Sequence, residues 1–213
     1  CVFSFVVTYD LQFKHVDVKT AFLNSVLDED IWIKFPVGYV HPEGHQYAQL
    51  GKAVYGLKQA TKKWYDTQHV QMLAFDSQIS RSKSDPGFYY LVTAGGKRVS
   101  SLDSAVSCSP DFWFLVNLHV DDYAVAYSHE EYYARWVLHM SSHFAITELG
   151  DVSKLLGMRV QRTPTTLVID HFMYIGMLGH TYGVCPDTTV STPMRHGLKL
   201  THLPGGPNPN FPF

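Results

Sequence analysis

Cysteine is scarce, which excludes a disulfide-built scaffold and a zinc finger. The chain has 3 cysteines in 213 residues. Cys1, Cys108 and Cys185 form no CxxC pair and have no histidines at zinc-finger spacing. A reduced, intracellular setting is the expectation. No apolar run reaches the roughly 18–20 residues of a membrane-spanning helix. The apolar opening from Cys1 to Val7 lacks the basic flank and small-residue cleavage pattern of a secretory signal. Internal repeats and heptads are absent. So is a basic excess: 17 Lys and Arg stand against 19 Asp and Glu, a net charge of -2. Any contact with nucleic acid must therefore draw on local clusters of cations. Apolar residues are not in short supply. At 46% hydrophobic and 14% aromatic, the chain has the composition of a folded globule, long enough for one large domain with a small appendage. The 12 histidines are scattered, and His41 with His45 lacks the company of further ligands.

Against this background the dipeptide Asp121-Asp122 stands out. It interrupts Phe112-Trp-Phe-Leu-Val-Asn-Leu-His-Val-Asp-Asp-Tyr-Ala-Val-Ala-Tyr127, two runs of aromatic and β-branched residues that predict a hairpin with adjacent carboxylates at its turn. Asp is common in turns because its side chain bonds its own backbone, so a purely structural role stands beside a functional one. Two like charges side by side are best tolerated near a cation. A second acid, Asp17, lies in similar surroundings, Phe13-Lys-His-Val-Asp-Val-Lys-Thr-Ala-Phe-Leu-Asn24. Carboxylates from two strands can hold Mg²⁺, a hard cation that keeps several waters and takes one or two carboxylates with substrate phosphates.

The remaining pattern is that of mixed α and β structure. Ile31, Ile33 and Phe35 alternate as a short strand, and a loop rich in Pro and Gly follows. A helix after Gly56 has Tyr65, Met72 and Leu73 on its apolar face with Trp64 beside them, while Lys58, Lys62 and Lys63 decorate the rest. Gly95-Gly96 and the polar stretch from Lys97 to Pro110 show the least pattern and are expected to be an irregular inserted loop. Ser128-His-Glu-Glu131 has the form of a capping box, Ser128 as N-cap and Glu131 as N3. It leads into a helix whose core stripe is Tyr133, Trp136, Val137, Met140 and Phe144. A second hairpin is expected from Leu155 to Ile169, and a helix from Phe172 to Tyr182 ending at Gly183. By themselves, Leu156-Gly157-Met158 would be only a glycine within a strand.

Four segments in this order, Asp17-Val-Lys-Thr-Ala-Phe-Leu-Asn24, Tyr55-Gly-Leu-Lys-Gln-Ala60, His119-Val-Asp-Asp122 and Val190-Ser-Thr-Pro-Met194, resemble the reverse transcriptases of copia-type (Ty1/copia) retrotransposons. The similarity runs from about Val7 to Leu200. It implies an α+β right-hand polymerase palm, an antiparallel sheet packed on helices. The palm would span 1–150 with a fingers remnant at 31–60. The primer-grip hairpin and the start of a thumb would occupy 151–200, and a disordered Pro/Gly-rich tail 201–213. The resemblance implies Asp17, Asp121 and Asp122 as catalytic carboxylates. Asp17 and Asp121 would be the principal ligands of two Mg²⁺ ions, with Mn²⁺ as a substitute, assisted by the Val18 carbonyl; Asp122 would be more peripheral. Phe22 would lie under the sugar of the incoming nucleotide and disfavour a ribose, against the alternative of an ordinary core phenylalanine. Gln59 would touch nucleotide and template, or simply start a helix. Leu156, Gly157 and Met158 would form the primer grip. The implied partners are a primed RNA or DNA template and deoxynucleoside triphosphates, with no membrane. The chain departs from the family at His119, usually Tyr, and Thr61, usually Pro. A basic fingers segment normally precedes the first catalytic strand, so the expectation is a fragment, fingers largely missing, that polymerises poorly alone. Two functions remain open: an RNA-directed DNA polymerase, and a non-catalytic palm serving as a nucleic-acid or protein interaction module. A metal-dependent hydrolase of another fold would leave the other motifs unexplained.

Overall fold

The computed structural model describes residues 2–163, 165–183 and 197. The segment Val190 to Met194, Cys185 and the expected disordered tail lie outside the described residues. Two compact units divide the chain at Asp170 and His171. The first opens with helix α1 (Val2–Thr8), strand β1 (Gln12–Val18), a 3₁₀ turn (Ala21–Asn24), strands β2 (Val26–Lys34) and β3 (Tyr47–Lys52), and helix α2 (Ala60–Phe75). It continues with β4 (Ser80–Arg81), β5 (Phe88–Ala94), β6 (Lys97–Arg98), helix α3 (Leu102–Ser107), β7 (Phe112–His119), β8 (Asp122–Tyr127) and helix α4 (Glu130–His143). Strands β9 (Ile146–Asp151), β10 (Lys154–Leu155), β11 (Met158–Arg162) and β12 (Leu167–Asp170) complete it. In the second unit, helix α5 (Phe172–Thr181) is followed by Gly183, whose φ of 63° is the left-handed conformation expected past a helix end.

The class is α+β with antiparallel sheets. The main sheet has the order β4-β5-β7-β8-β1-β9, with β6 added to β5; β10-β11-β12 and β2-β3 are separate sheets. Both faces of the main sheet are covered, which explains why β7 and β8 are almost continuously apolar rather than alternating. Phe114, Val116 and Leu118 of β7 and Tyr123, Val125 and Tyr127 of β8 join a cluster with Trp64 and Met72 of α2 and Trp136 and Met140 of α4. Their neighbours Trp113, Leu115, Ala124 and Ala126 face the other way, into a cluster with Val2 and Val6 of α1 and Ala105 of α3. Aromatic geometry locks α4 onto β8: Tyr133 stacks on Tyr127 at 4.4 Å, and Trp136 meets Tyr123 edge-on at 5.3 Å.

Several local expectations are corrected. The buried face of α2 is Ala60, Trp64, Gln68 and Met72, not the row through Tyr65 and Leu73; Leu73 is exposed. Gln68 hides the pattern because a buried polar residue sits on that face, where its amide oxygen accepts the Tyr123 hydroxyl. Helix α4 begins at Glu130 with His129 at the cap position and no side-chain cap. Ser128 is diverted from capping because its hydroxyl oxygen accepts the Trp113 N–H at 2.9 Å. The stretch after Gly95-Gly96 is ordered structure, not an irregular insertion. Gly95 and Gly96, both with positive φ, turn β5 into β6, and Ser101 caps α3 by accepting the Ser104 N–H at 3.2 Å. The expected strand near Ile31 is longer, Val26–Lys34, and pairs with β3.

One glycine is dictated by close approach. A Cβ at Gly87 would lie 2.4 Å from the Leu118 carbonyl oxygen, a backbone atom that cannot swing away. The Leu118 N–H also donates to the Gly87 carbonyl at 2.8 Å, so the two backbones are clamped together next to the hairpin that carries the acids. Gly87→Ala is therefore expected to cost about 1–3 kcal/mol of stability through overpacking. A urea unfolding midpoint equal to that of the unsubstituted chain would show the clash to be relieved at no cost.

Candidate active site

Strand β1 supplies the first acid and the β7–β8 hairpin the other two. In the antiparallel pairing of β1 with β8, Asp17 lies directly opposite Asp122. Asp121 sits in the turn, and its backbone carbonyl accepts the Val18 N–H at 2.8 Å. That bond ties the turn to the end of β1. Val18 is buried, and Phe22 follows in the 3₁₀ turn at 7% exposure. Asn24 holds that turn closed, its amide nitrogen donating to the carbonyls of Lys19, Thr20 and Ala21 at 3.4, 3.2 and 3.3 Å.

The hairpin turn is strained and braced. Val120 has φ 57°, a left-handed conformation that is costly for a β-branched residue. Its carbonyl accepts the indole N–H of fully buried Trp64. The Tyr65 hydroxyl donates to the Leu118 carbonyl at 3.4 Å from the same helix. Helix α2 thus grips the backbone on which Asp121 and Asp122 are mounted.

Electrostatics follow from this crowding. Partial burial raises the Asp17 pKa above the ordinary carboxylate value; the neighbouring Asp121 and Asp122 add to the rise, while His15 and Lys19 oppose it. His15 Nε2 lies 2.7 Å from Asp122 Oδ1. The Tyr55 hydroxyl donates to Asp121 Oδ2 across a long 3.5 Å, and burial, then the charges of Asp121 and Asp17, push its phenol pKa up. The Phe22 ring packs edge-on against Tyr55 at 4.6 Å. Phe22, Tyr55 and Asp121 therefore form one contiguous chain of contacts.

Gln59 stands at the start of α2, where its side-chain amide donates to Glu29 at 3.1 Å. Lys63 pairs with Asp28. Leu156 and Gly157 do not lie within a strand: both have positive φ, 51° and 78°, and form the two-residue turn between β10 and β11, with Met158 opening β11. A groove of about 390 Å³ brings Leu156 and Gly157 to the same surface as His15 and Asp122. His119 is exposed at the end of β7, across from Asp122.

Sequence reasoning assigned no role to His15, Tyr55 or Asn24, and placed Trp64 only beside the apolar face of its helix. His15 was open to discovery, since residues two apart on a strand share a face. The contacts of Tyr55 and Trp64 span 66 and 56 residues and carry no local signal. Away from this site, His41 does gain company: among the described residues, a trio with ligand atoms all within 4.8 Å of one another is His41, Glu43 and His45. No helix among the described residues is long and apolar enough to cross a membrane.

The chain is similar to proteins of mobile elements. It is 29% identical over 208 residues to the retrovirus-related Pol polyprotein from transposon TNT 1-94 of Nicotiana tabacum, covering 94% of this chain and 14% of the relative. A transposon Ty5-1 protein of Saccharomyces cerevisiae is 29% identical over 149 residues, covering 70% of this chain and 42% of the relative. The Pol polyprotein from transposon RE1 of Arabidopsis thaliana is 26% identical over 193 residues, 90% of this chain and 12% of the relative. The chain thus spans less than half the length of these relatives. No solved structure shows significant similarity to it. A family model described as reverse transcriptase (RNA-dependent DNA polymerase) matches residues 2–196, and the chain belongs to that family, in its copia-type retrotransposon branch.

Proposed function

We propose that this chain is the palm of an RNA-directed DNA polymerase, with a fingers remnant at 31–60 and the primer-grip hairpin and beginning of a thumb from Asp151. The observation that carries this reading is the register of β1 against β8. It sets Asp17 across from Asp122 while the Val18 N–H holds the Asp121 carbonyl. All three acids are partly exposed, and hard carboxylate oxygens with a mutually repelling charge fit a divalent cation such as Mg²⁺. Bound there, a pair of such ions would activate the primer hydroxyl and stabilise charge on the departing pyrophosphate. Asp17 and Asp121 would hold them, with the Val18 carbonyl as a further oxygen. Asp122, already engaged by His15, would serve at the periphery. The groove beside Leu156 and Gly157 would seat the primer end next to Asp122. Phe22, braced by Tyr55, would set the floor beneath the nucleotide sugar, with Gln59 on the template side.

A second reading is a palm that binds nucleic acid or protein without catalysis. It is favoured by the contacts that Asp122 and Asp121 already make to His15 and Tyr55, which satisfy the acids in part without a cation. Primer extension on a primed RNA template separates the two. The polymerase reading expects addition of deoxynucleotides that requires Mg²⁺ and is lost in Asp17→Asn. Template binding unaccompanied by any Mg²⁺-dependent addition would support the module. Where addition occurs, Phe22→Ala is expected to admit ribonucleotides more readily with the metal requirement intact. Single-nucleotide extension with each sugar checks this, and unchanged discrimination would leave Phe22 as a core residue only.

A further inference from the structure

We propose that His41, Glu43 and His45 form a zinc-binding site at the tip of the β2–β3 hairpin, separate from the carboxylates of the main sheet. Backbone geometry prearranges it. His41-Pro42-Glu43-Gly44 is a β-turn closed by the Gly44 N–H donating to the His41 carbonyl at 2.9 Å, with Pro and Gly at the second and fourth positions where a type I turn favours them. The left-handed φ of Gly44, 76°, redirects the chain so that His45 returns toward His41, their rings 4.9 Å apart. At the base of the loop, the Phe35 N–H donates to the Gln46 carbonyl at 3.1 Å. The His41 ring lies nearly parallel to Phe35 at 5.5 Å. These contacts orient one imidazole before any ion arrives.

Ligand spacing and donor chemistry then select the ion. His45 Nε2 is 3.2 Å from Glu43 Oε2, and one ligand atom from each residue falls within 4.8 Å of the others. Ligands around tetrahedral zinc, at bond lengths of about 2.0–2.2 Å, stand roughly 3.3–3.6 Å apart. The wider separations need to shorten by only about 1 Å to reach that spacing. Two imidazoles and a carboxylate suit zinc and its transition-metal neighbours, whereas Mg²⁺ and Ca²⁺ prefer oxygen alone. Three protein ligands leave a fourth position to water. His45 and Glu43 are open to solvent, at 62% and 76% side-chain exposure, so entry is unobstructed. Bound zinc would link both ends of the turn and stiffen the segment 36–46.

Zinc chloride titrated into the full chain in competition with a chromophoric chelator tests the site. A His41→Ala/His45→Ala double variant is expected to bind at least about tenfold more weakly, the scale on which even outer-sphere losses weaken metal sites. Glu43→Gln should fall between the double variant and the native chain. Asp121→Asn should leave zinc affinity unchanged, which separates this site from the proposed catalytic one, and excess Mg²⁺ should not displace the zinc. Zinc should also slow proteolysis within 36–46 in the unsubstituted chain, a readout that does not depend on any variant folding. Zinc affinity unaltered by the double substitution, or cleavage at the same rate with and without zinc, would overturn the proposal.

Discussion

Replacing Trp64 with alanine is expected to destabilise the chain by about 3–5 kcal/mol, the range for deleting a large buried aromatic side chain. Trp64 is fully buried, packs edge-on against Phe144 at 5.2 Å, and donates its indole N–H to the Val120 carbonyl. The alanine would leave a cavity between α2 and the main sheet and strip the only side-chain donor seen on that carbonyl among the described residues. Trp64→Phe separates the two effects. It keeps most of the ring volume but leaves the Val120 carbonyl without its donor, a smaller loss of about 1–3 kcal/mol. Denaturant unfolding of both variants measures these differences. Equal stability for Trp64→Phe and the native chain would mean that the indole bond contributes nothing to holding the hairpin turn.

The second large effect concerns chemistry. Asp121→Asn is expected to lower any template-directed nucleotide addition by at least about 10²-fold, since misplacing reacting groups by about 1 Å already costs that much. Stability should change little, because Asp121 is a partly exposed turn residue whose backbone carbonyl, the atom that accepts from Val18, is retained in asparagine. The converse is expected of Trp64→Phe: a shifted turn with all carboxylates present, hence slower addition at an unchanged metal requirement. Extension rates measured beside unfolding curves would expose an Asp121→Asn variant that fails only because it is unfolded.

How far the residues alone announced this architecture depends on the range of the forces involved. The β7–β8 hairpin and the stripe of Tyr133, Trp136 and Met140 on α4 follow from local composition and periodicity, and they appear in the structure at those places. Failures arose where a distant partner reassigned a local signal. Ser128 has the sequence of a helix cap, yet Trp113 across the hairpin takes its hydroxyl. Gln68 breaks the apolar face of α2 because Tyr123 supplies a buried partner. Gly95-Gly96 looked like part of an irregular inserted loop, but positive φ at both positions is what a tight hairpin needs. At the candidate active site, the three acids were visible as residues, and their convergence was expected from two strand-like acidic segments and from the family resemblance, without the register that achieves it. That register depends on pairing β1 with β8, which no local pattern encodes. His15 and Tyr55, which touch two of the acids, emerged only from the folded arrangement.

Binding of Mn²⁺ to the chain, followed by electron paramagnetic resonance, tests the central claim most directly. Mn²⁺ stands in for Mg²⁺ at hard oxygen ligands and reports the ion without requiring catalysis. The account predicts bound Mn²⁺ that is displaced by Mg²⁺, weakened strongly in Asp17→Asn and Asp121→Asn, weakened less in Asp122→Asn, and unaffected by His41→Ala/His45→Ala. Mn²⁺ binding of the same strength and stoichiometry in the native chain and in the Asp17→Asn and Asp121→Asn variants would contradict it.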